Sequence, residues 1–323
     1  MYRICVIIFT ALLLAEFSFG QDYPSRVITL VVPYAAGGGV DVVARVIAQP
    51  LSERLRQKII VENVTGAGGV IGTQRVARAQ GDGYTLLFAV ENTMAVAKLV
   101  QPSVVQYDSQ KDFAPISLIG TAPLVLAGKK NLPAENISEL MSLLRANPGK
   151  YSYASSGVGT SLQVLGEMIN VEGKVHMVHV PYRSAPQIVA DLVSNQIDLA
   201  VLPLNLALPP YREGSVRIFG TSERERSPLA PDLPSLAGNP DLKAVNMTVW
   251  YGLFAPAGAD PAIVARIYHD LAVTLRDPAM RARLAQVHLV SVVGSTPPEL
   301  AVFLGQEIER YSAIVKAANI KAE

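Results

Sequence analysis

The sequence predicts an α/β protein of two domains, in which parallel sheets are covered by helices. Short apolar runs rich in β-branched residues alternate with patterns of helical period, and this alternation is typical of such sheets. The chain has 323 residues, half of them hydrophobic. Because a single core rarely grows beyond roughly 250–300 residues, this length favours two domains over one.

The strands are predicted from short apolar runs, and the helices from apolar residues spaced three and four apart. Strands are expected at residues 27–32, 59–62, 85–89, 116–119, 124–127, 151–154, 176–180, 199–202, 216–221 and 253–255. Helices are expected at residues 40–56, 70–79, 137–146, 162–173, 185–194, 261–276, 278–287 and 297–318. The clearest helix, at 40–56, has one apolar stripe, formed by Val40, Val43, Ala44, Ile47, Leu51 and Leu55.

Two proline-containing joints indicate how the domains divide. They lie at Ala122-Pro123 and in residues 228–240, a stretch with too many prolines for regular structure. We therefore expect chain crossings near residues 123 and 247. A discontinuous first domain would hold residues 21–123 and 247–323, and an inserted second domain residues 124–246. Ligands of open α/β folds bind at the carboxyl ends of strands, which predicts a site in the cleft between the domains.

The first 20 residues have the pattern of a secretory signal peptide. Arg3 precedes a mostly apolar run at 6–15, which is too short to span a bilayer. Small residues at Ser18 and Gly20 predict cleavage after Gly20; an uncleaved anchor is the alternative. The only cysteine, Cys5, lies inside this leader. The mature chain would therefore have no disulfide, no cysteine nucleophile and no cysteine-ligated metal.

Composition and histidine placement argue against several classes of protein. The net charge is +1 and charged residues make up 17%, whereas nucleic-acid binding requires a clustered basic face. No segment after the leader has about 18 consecutive apolar residues, so no later membrane span is predicted. His176 and His179 should point to opposite faces of a strand, and His269 and His288 stand alone in helical patterns. We expect no metal site and no cofactor.

The first candidate binding element is a glycine-rich turn between the strand at 27–32 and the helix at 40–56. Backbone N–H groups are free at a helix N-terminus, and glycines let a ligand approach them closely. Such a turn binds an anion without a charged side chain. Asp41 either caps the helix, by accepting a hydrogen bond from an N–H one turn on, or contacts the ligand. The candidate residues are Tyr34, Ala35, Ala36, Gly37, Gly38, Gly39 and Asp41.

A second glycine turn, at residues 63–72, also lies between a strand and a helix. It invites comparison with the dinucleotide motif G-x-G-x-x-G, but Ile71 occupies the position of the third glycine. The dinucleotide motif also requires an acidic residue in the following strand, and the strand at 85–89 has none. We therefore interpret the two turns as two walls of one anion pocket. The candidate residues are Thr65, Gly66, Ala67 and Gly68.

Two further turns precede helices in the predicted second domain. In the turn at 151–161, hydroxyl and N–H groups could hold a carboxylate, or Thr160 or Ser161 could simply cap the helix. A serine-hydrolase elbow would require glycine at Tyr153. In the turn at 179–186, Arg183 could pair with a carboxylate or be solvated. The candidate residues are Ser155, Ser156, Gly157 and Thr160 in one turn, and Tyr182, Arg183 and Ser184 in the other.

These motifs, in this order, resemble the tripartite tricarboxylate transporter receptor family, the Bug-type periplasmic solute-binding proteins. The resemblance covers nearly the whole mature chain. It rests on VPYAAGGGVDVVAR (32–45), VENVTGAGGVIGTQRVARAQGDGYTLL (61–87), YDSQKDFAPISLI (107–119), YASSGVGTS (153–161), HVPYRSAP (179–186), WYGLFAPAG (250–258) and IVKAANIKAE (314–323). Each glycine motif is weak alone, but the set is specific.

The resemblance implies a type II periplasmic-binding-protein fold, in which two α/β domains close on a ligand. It implies a monomer in the periplasm that binds a small carboxylate through backbone N–H groups and water, has no catalytic residues, and works with membrane transporter subunits. A partner of a membrane sensor kinase and an exported hydrolase are the alternatives. The hydrolase would need a nucleophile, a base and an oxyanion site in contact, and no such set has recognisable spacing.

The chain departs from the family pattern after the strand at 85–89. The family often has small hydroxyl residues there, whereas this chain has Glu91, Asn92 and Thr93, which we add to the candidate site. A carboxylate at this place would repel one ligand anion or receive an amine. The PYRSAP segment is also one residue shorter than in the family. Many members carry Asp-Asn-Leu-Pro after the strand near residue 200, whereas this chain reads Leu202-Pro203-Leu204-Asn205 and lacks the acidic group. These departures leave the identity of the bound acid open.

Overall fold

The computed structural model describes residues 23–317 and Ile320, so the predicted leader with Cys5 lies outside the described residues. Ten strands occur in the described part. They are β1 (Ile28–Val32), β2 (Ile59–Asn63), β3 (Thr85–Val90), β4 (Phe113–Lys129), β5 (Ser152–Ser155), β6 (Val178–Pro181), β7 (Leu199–Pro203), β8 (Val216–Thr221), β9 (Thr248–Pro256) and β10 (Ser291–Val292).

The helices of the described part alternate with these strands for most of the chain. They are α1 (Gly39–Leu55), α2 (Val70–Ala77), α3 (Ala97–Val100), α4 (Ile137–Ala146), α5 (Ser161–Gly173), α6 (Ala185–Val193), α7 (Leu204–Arg212), α8 (Pro261–Arg276), α9 (Pro278–His288) and α10 (Pro297–Ala317). Short 3₁₀ helices occur at Ala67–Gly69, Leu236–Gly238 and Pro240–Leu242, and a π-helical turn at Asn92–Val96.

The strands form two lobes that share the long strand β4. In the first lobe the order is β2-β1-β3-β9-β4, with β10 also paired to β4; in the second it is β4-β7-β5-β6, with β8 paired to β4. The partner of β4 changes at one point: Pro123 pairs with Thr248 of β9, and Leu124 pairs with Pro203 of β7. We therefore assign residues 113–123 of β4 to the first lobe and residues 124–129 to the second.

The sheets are mixed, and in this respect the expectation of parallel sheets is wrong. β1 is parallel to β2 and β3, and β5 is parallel to β6 and β7. However, β9 runs antiparallel to β3 and β4, and β4 runs antiparallel to β7 and β8. The reason is that β4 carries the chain from the first lobe to the second and β9 carries it back, so the two strands run in opposite directions.

The secondary structure also differs from the predicted elements in two places. The runs at 116–119 and 124–127 were expected as separate strands but belong to the single strand β4. Proline has no N–H for a ladder bond, so Pro123 marks the change of partner rather than the end of the strand. Helix α7 was not predicted, and it contains Pro209 and Pro210, residues that disfavour a helix interior. Both prolines lie in its last turns, and the helix ends at Arg212.

Buried apolar side chains form one large cluster that runs through both lobes and a smaller one mainly in the second lobe. The larger cluster includes Trp250 and Phe254 of β9 and Tyr311 of α10, all fully buried. A smaller cluster packs α6 and α7 against the second sheet through Ile188 and Leu204. This packing makes each sheet a firm base for the loops that leave its strand ends. Separately, among the described residues no helix is long and apolar enough to cross a bilayer.

Candidate functional site

A cavity of about 670 Å³ lies between the two lobes. Its walls are loops that follow the carboxyl ends of strands: β1, β2 and β3 in the first lobe, and β5, β6 and β7 in the second. This is the expected position of a ligand in an open α/β fold, because successive loops leave the same edge of a sheet.

Five helices begin at the wall of this cavity. Their N-cap residues, all of which line it, are Gly38 for α1, Gly69 for α2, Thr160 for α5, Ser184 for α6 and Pro203 for α7. The first N–H groups of a helix have no partner within the helix, and the helix dipole adds partial positive charge there. The cavity is therefore favourable for an anion on both sides.

Only two charged side chains of the described residues line the cavity. Arg183 follows β6, is exposed, and has no hydrogen bond or ion pair in the described part of the chain. Glu91 follows β3 and is 2% exposed. The guanidinium is therefore available to a ligand carboxylate at the rim, whereas the carboxyl group lies deep in the wall.

Asp41 lies behind the first glycine loop and does not line the cavity. Its carboxylate accepts hydrogen bonds from the Gly37 N–H (2.8 Å), from Arg45 Nε (2.9 Å) and from Asn63 Nδ2 (2.9 Å). The expected cap is wrong, because Gly38 is the N-cap of α1 and Asp41 accepts from an N–H four residues before it. The carboxylate therefore fixes the shape of the loop.

The environment of Asp41 favours its ionised form. Burial alone would raise its pKa, but the hydrogen bonds from Arg45, Gly37 and Asn63 outweigh this and hold the pKa below its usual value. Asn63 Nδ2 also donates to the Tyr34 carbonyl (2.9 Å), which ties the start of the loop to β2. The first loop is thus held from behind by a charged group.

The second glycine turn is packed closely against the first. Tyr34 Oη and Asn92 Nδ2 both donate to the Gly68 carbonyl, at 3.2 and 2.7 Å. Gly69 has a φ of +98°, and a Cβ there would lie 2.7 Å from Thr93 and 3.0 Å from Tyr34. Only glycine fits both this backbone conformation and this space.

Glu91 links the first lobe to the second. Its Oε1 accepts from Ser161 Oγ, at the start of α5, at 2.5 Å, and its Oε2 accepts from the Trp250 N–H at 3.2 Å. Burial raises the pKa of Glu91 to about 7, although these hydrogen bonds and the one from its own backbone lower it. The carboxyl group therefore titrates near neutral pH.

The second-lobe loop is held by hydroxyl groups. Thr160 Oγ1 donates to the Gly157 carbonyl (2.7 Å) and accepts from the Gln163 N–H (3.4 Å), so it is the cap of α5 that the sequence suggested. Ser155 lies behind the loop, with its Oγ 2.6 Å from His179 Nε2. From the first lobe, Gln101 Nε2 donates to the Val158 carbonyl at 2.8 Å, which adds a second link between the lobes.

Most residues predicted from the sequence meet at this one cavity. Those that line it are Tyr34, Ala35, Ala36, Gly38, Gly39, Thr65, Gly66, Ala67, Gly68, Glu91, Asn92, Ser156, Gly157, Thr160, Tyr182, Arg183 and Ser184. Four predicted residues lie outside its lining: Gly37, Asp41, Thr93 and Ser155. Thr93 is buried and donates to the Val90 carbonyl, at 3.3 Å.

Several lining residues were not predicted. Val249 and Tyr251 come from β9, where the chain returns between the lobes, and Leu206 comes from the unpredicted helix α7. No local motif marks them, because an apolar side chain on a crossing strand has the same pattern as a core residue. Ser161 was expected to hold a carboxylate ligand or to cap the helix, whereas its hydroxyl donates to Glu91. Within residues 23–317 and at Ile320, no group of three or more His, Cys, Asp or Glu could hold a metal.

Comparisons with known proteins agree with this architecture. The family model described as "Tripartite tricarboxylate transporter family receptor" matches residues 43–320. The solved periplasmic binding protein BugD is 30% identical, with a TM-score of 0.84 over 93% of this chain and 100% of that chain. MatC from Rhodopseudomonas palustris, solved with bound malate, is 32% identical, with a TM-score of 0.83 over 91% of this chain and 100% of MatC. A second R. palustris protein, solved with adipate, is 28% identical, with a TM-score of 0.87 over 93% and 99%.

These similarities confirm the predicted family resemblance and the type II periplasmic-binding-protein fold, with two α/β domains and a cleft between them. The family and its solved members are receptors and binding proteins, not enzymes, as the sequence led us to expect. The chain belongs to the tripartite tricarboxylate transporter receptor family and is a solute-binding protein.

Proposed function

We propose that the protein captures a small organic carboxylate in the cavity between its lobes, in the periplasm, and delivers it to the membrane subunits of a transporter. The carboxylate class includes mono-, di- and tricarboxylates and amino acids. The single observation that carries this proposal is the convergence of five helix N-termini on a cavity where Arg183 is the only cationic side chain among the described lining residues.

The similar proteins support this choice of ligand class. Malate and adipate, with which two of them were solved, are both dicarboxylates, and they differ in length and in the hydroxyl group of malate. A cavity that offers backbone N–H groups on two sides is suited to a molecule with a carboxylate at each end. We therefore expect dicarboxylates of four to six carbons among the ligands.

A direct test is to measure the melting temperature of the mature protein with a panel of mono-, di- and tricarboxylates and amino acids. A ligand present at about 100 times its Kd adds about 2.7 kcal/mol of stability, which raises the melting temperature of a chain of this size by several degrees. The ligand should be recovered unchanged after incubation. If no carboxylate in the panel raises the melting temperature, the proposal is wrong.

We also propose that the first domain comprises residues 21–123 and 247–323, that residues 124–246 form the second, and that the two close on the ligand. The change of partner of β4 between Pro123 and Leu124 supports this division. Closure about two crossing strands is a hinge motion, and it should reduce the radius of gyration measured by X-ray scattering. An unchanged radius at saturating ligand would exclude closure but not binding.

Export and delivery are tested separately from binding. We expect cleavage after Gly20 and a monomer in the periplasm, which N-terminal sequencing and light scattering of the protein from a periplasmic extract measure. Delivery to a transporter predicts that deletion of the gene abolishes uptake of the radiolabelled ligand. If uptake is normal but a ligand-dependent transcriptional response is lost, the partner is a membrane sensor kinase instead.

A further inference from the structure

One wall of the cavity offers hydrogen-bond acceptors, whereas the helix N-termini around it offer donors. The acceptors belong to Glu91 and Asn92, which follow β3 and lie 2% and 4% exposed. A carboxylate ligand alone has nothing to donate to them, because an ionised carboxylate only accepts hydrogen bonds. The acceptors therefore require an explanation beyond anion binding.

The amide of Asn92 has a fixed orientation and an unused oxygen. Its Nδ2 donates to the Gly68 carbonyl at 2.7 Å and lies 3.5 Å from Tyr34 Oη. The opposite orientation would place the amide oxygen against that carbonyl, which is repulsive. Asn92 Oδ1 is buried and has no hydrogen-bond partner among the residues that the structure describes. An unpaired buried acceptor is unfavourable, so a donor is expected to complete it when the site is filled.

Glu91 already accepts one hydrogen bond at each oxygen but can accept more. Its two partners, the Ser161 hydroxyl and the Trp250 N–H, are both neutral, and each carboxylate oxygen can accept a further hydrogen bond. Among the described residues no ion pair involves Glu91, and Arg310 on α10 is paired with Glu307 at 2.7 Å. A second acceptor thus stands beside Asn92 Oδ1 in sequence and on the same wall.

We propose that Glu91 and Asn92 form a subsite for a hydrogen-bond donor on the ligand, a hydroxyl or an ammonium group. The protein would then favour carboxylates that carry such a group over plain carboxylates of the same length. This inference rests on the proposed function, since it requires that a carboxylate binds in the cavity.

The first experiment compares ligands on the unmodified protein by titration calorimetry. Two matched series are used: succinate, malate and aspartate, and glutarate, 2-hydroxyglutarate and glutamate. A site built to hydrogen-bond a ligand O–H or N–H discriminates strongly against analogues that lack it, so we expect the hydroxy or the amino member to bind at least about tenfold tighter than the plain diacid. A preference for the hydroxy or for the amino member identifies which donor is recognised.

Two outcomes separate this inference from the proposed function. If plain, hydroxy and amino acids bind within twofold of one another, the donor subsite is wrong while the carboxylate receptor stands. If none of the six binds and no other carboxylate does, the proposed function itself fails. If a water satisfies Asn92 Oδ1 and every ligand leaves it in place, the plain, hydroxy and amino acids should bind alike, which is the first outcome.

A second experiment assigns the preference to these residues. Asn92→Leu keeps the approximate shape of the side chain but removes both the acceptor and the hydrogen bond to the Gly68 carbonyl. Loss of that loop contact should weaken both acids alike, whereas loss of the acceptor should bring the ratio of affinities between the preferred acid and its plain analogue to near one. Glu91→Gln should reduce mainly the preference for an ammonium over a hydroxyl group. Asn147→Leu is the matched control, because its amide donates to the Leu143 carbonyl outside the cavity, and it should leave the ratio unchanged. A ratio preserved in both Asn92→Leu and Glu91→Gln would overturn the assignment.

Discussion

Two regions of the cavity wall differ in how firmly they are built. The inner wall, formed by Gly68, Gly69, Glu91 and Asn92 of the first lobe, is largely buried and joined by hydrogen bonds to Tyr34 and across to Ser161. The outer rim, formed by residues 156–158 and 182–184 of the second lobe, is half-buried or exposed and includes Arg183. Substituting the same type of residue should therefore change the free energy of unfolding more in the inner wall than in the outer rim.

The largest expected effect is that of adding a methyl group to a glycine of the inner wall. Gly69→Ala imposes a left-handed conformation on alanine and places a Cβ 2.7 Å from the buried Thr93. Strain and overpacking together should reduce the free energy of unfolding by roughly 2–5 kcal/mol. Urea denaturation of the ligand-free protein measures this loss.

Gly157→Ala on the outer rim tests whether the inner wall is the more sensitive of the two regions. Its φ is +126°, but no atom lies closer than 3.7 Å to a Cβ at that position. Only the conformational cost remains, about 1–2 kcal/mol. If both substitutions reduce the free energy of unfolding equally, burial does not distinguish the two regions.

The second prediction concerns the pH dependence of stability at the inner wall. Because the pKa of Glu91 is raised to about 7, the folded protein binds a proton that the unfolded chain releases between its ordinary pKa and 7. This group's contribution to stability is complete below its ordinary pKa and is lost as the pH rises through 7. The loss amounts to roughly 3 kcal/mol.

Glu91→Gln removes this titration. The difference in free energy of unfolding between variant and unmodified protein should therefore shift in favour of the variant by roughly 2–3 kcal/mol between pH 5 and pH 8, most of the full effect. Other titrating groups cancel in this difference. Denaturation curves of both proteins at the two pH values give the number, and a difference independent of pH would contradict the raised pKa.

The third prediction separates support from ligand contact in the first glycine loop. Asp41→Asn loses the charge that Arg45 pairs with and weakens the hydrogen bond from the Gly37 N–H, which should cost about 1–2 kcal/mol of stability. The depressed pKa of Asp41 means that its own contribution is present above its usual pKa and is lost as the pH falls through the lower, folded value.

Affinity provides the check on this role of Asp41. Its carboxylate does not line the cavity, so calorimetry should show plain and amino-substituted carboxylates weakened by the same small factor. A loss confined to amino acids would show instead that Asp41 contacts a ligand ammonium group.

The smallest expected effect is at the outer rim. Arg183→Gln should weaken carboxylate binding severalfold at low ionic strength and much less at high salt, because an exposed charge is screened by solvent and ions. The free energy of unfolding should stay within about 0.5 kcal/mol, since Arg183 has no partner in the described part of the chain. Binding constants measured at two salt concentrations decide it. A loss above about a hundredfold that persists at high salt would place Arg183 in a tight clamp.

Local patterns predicted the loops of the site better than the roles of their charged residues. The strand–glycine–helix pattern was sufficient to place Gly38, Gly68 and Thr160 at one cavity, because the carboxyl ends of parallel strands and the helix N-termini that follow them must face the same edge. The role of Asp41 was mistaken, because its partners Arg45 and Asn63 meet it only after α1 and β2 have packed together.

The sequence by itself determined the family, the two α/β domains and the glycine-rich loops that line the cavity, since these follow from hydrophobic periodicity, glycine placement and the order of motifs along the chain. Only the tertiary structure decided that β4 is one strand shared by two sheets, and that Val249 and Tyr251 reach the cavity. It also decided that Glu91 is buried against Ser161 and Trp250, residues 70 and 159 positions away. The pKa of a carboxyl group and the pairing of an amide oxygen depend on such distant neighbours, and a sequence does not state which neighbours those are.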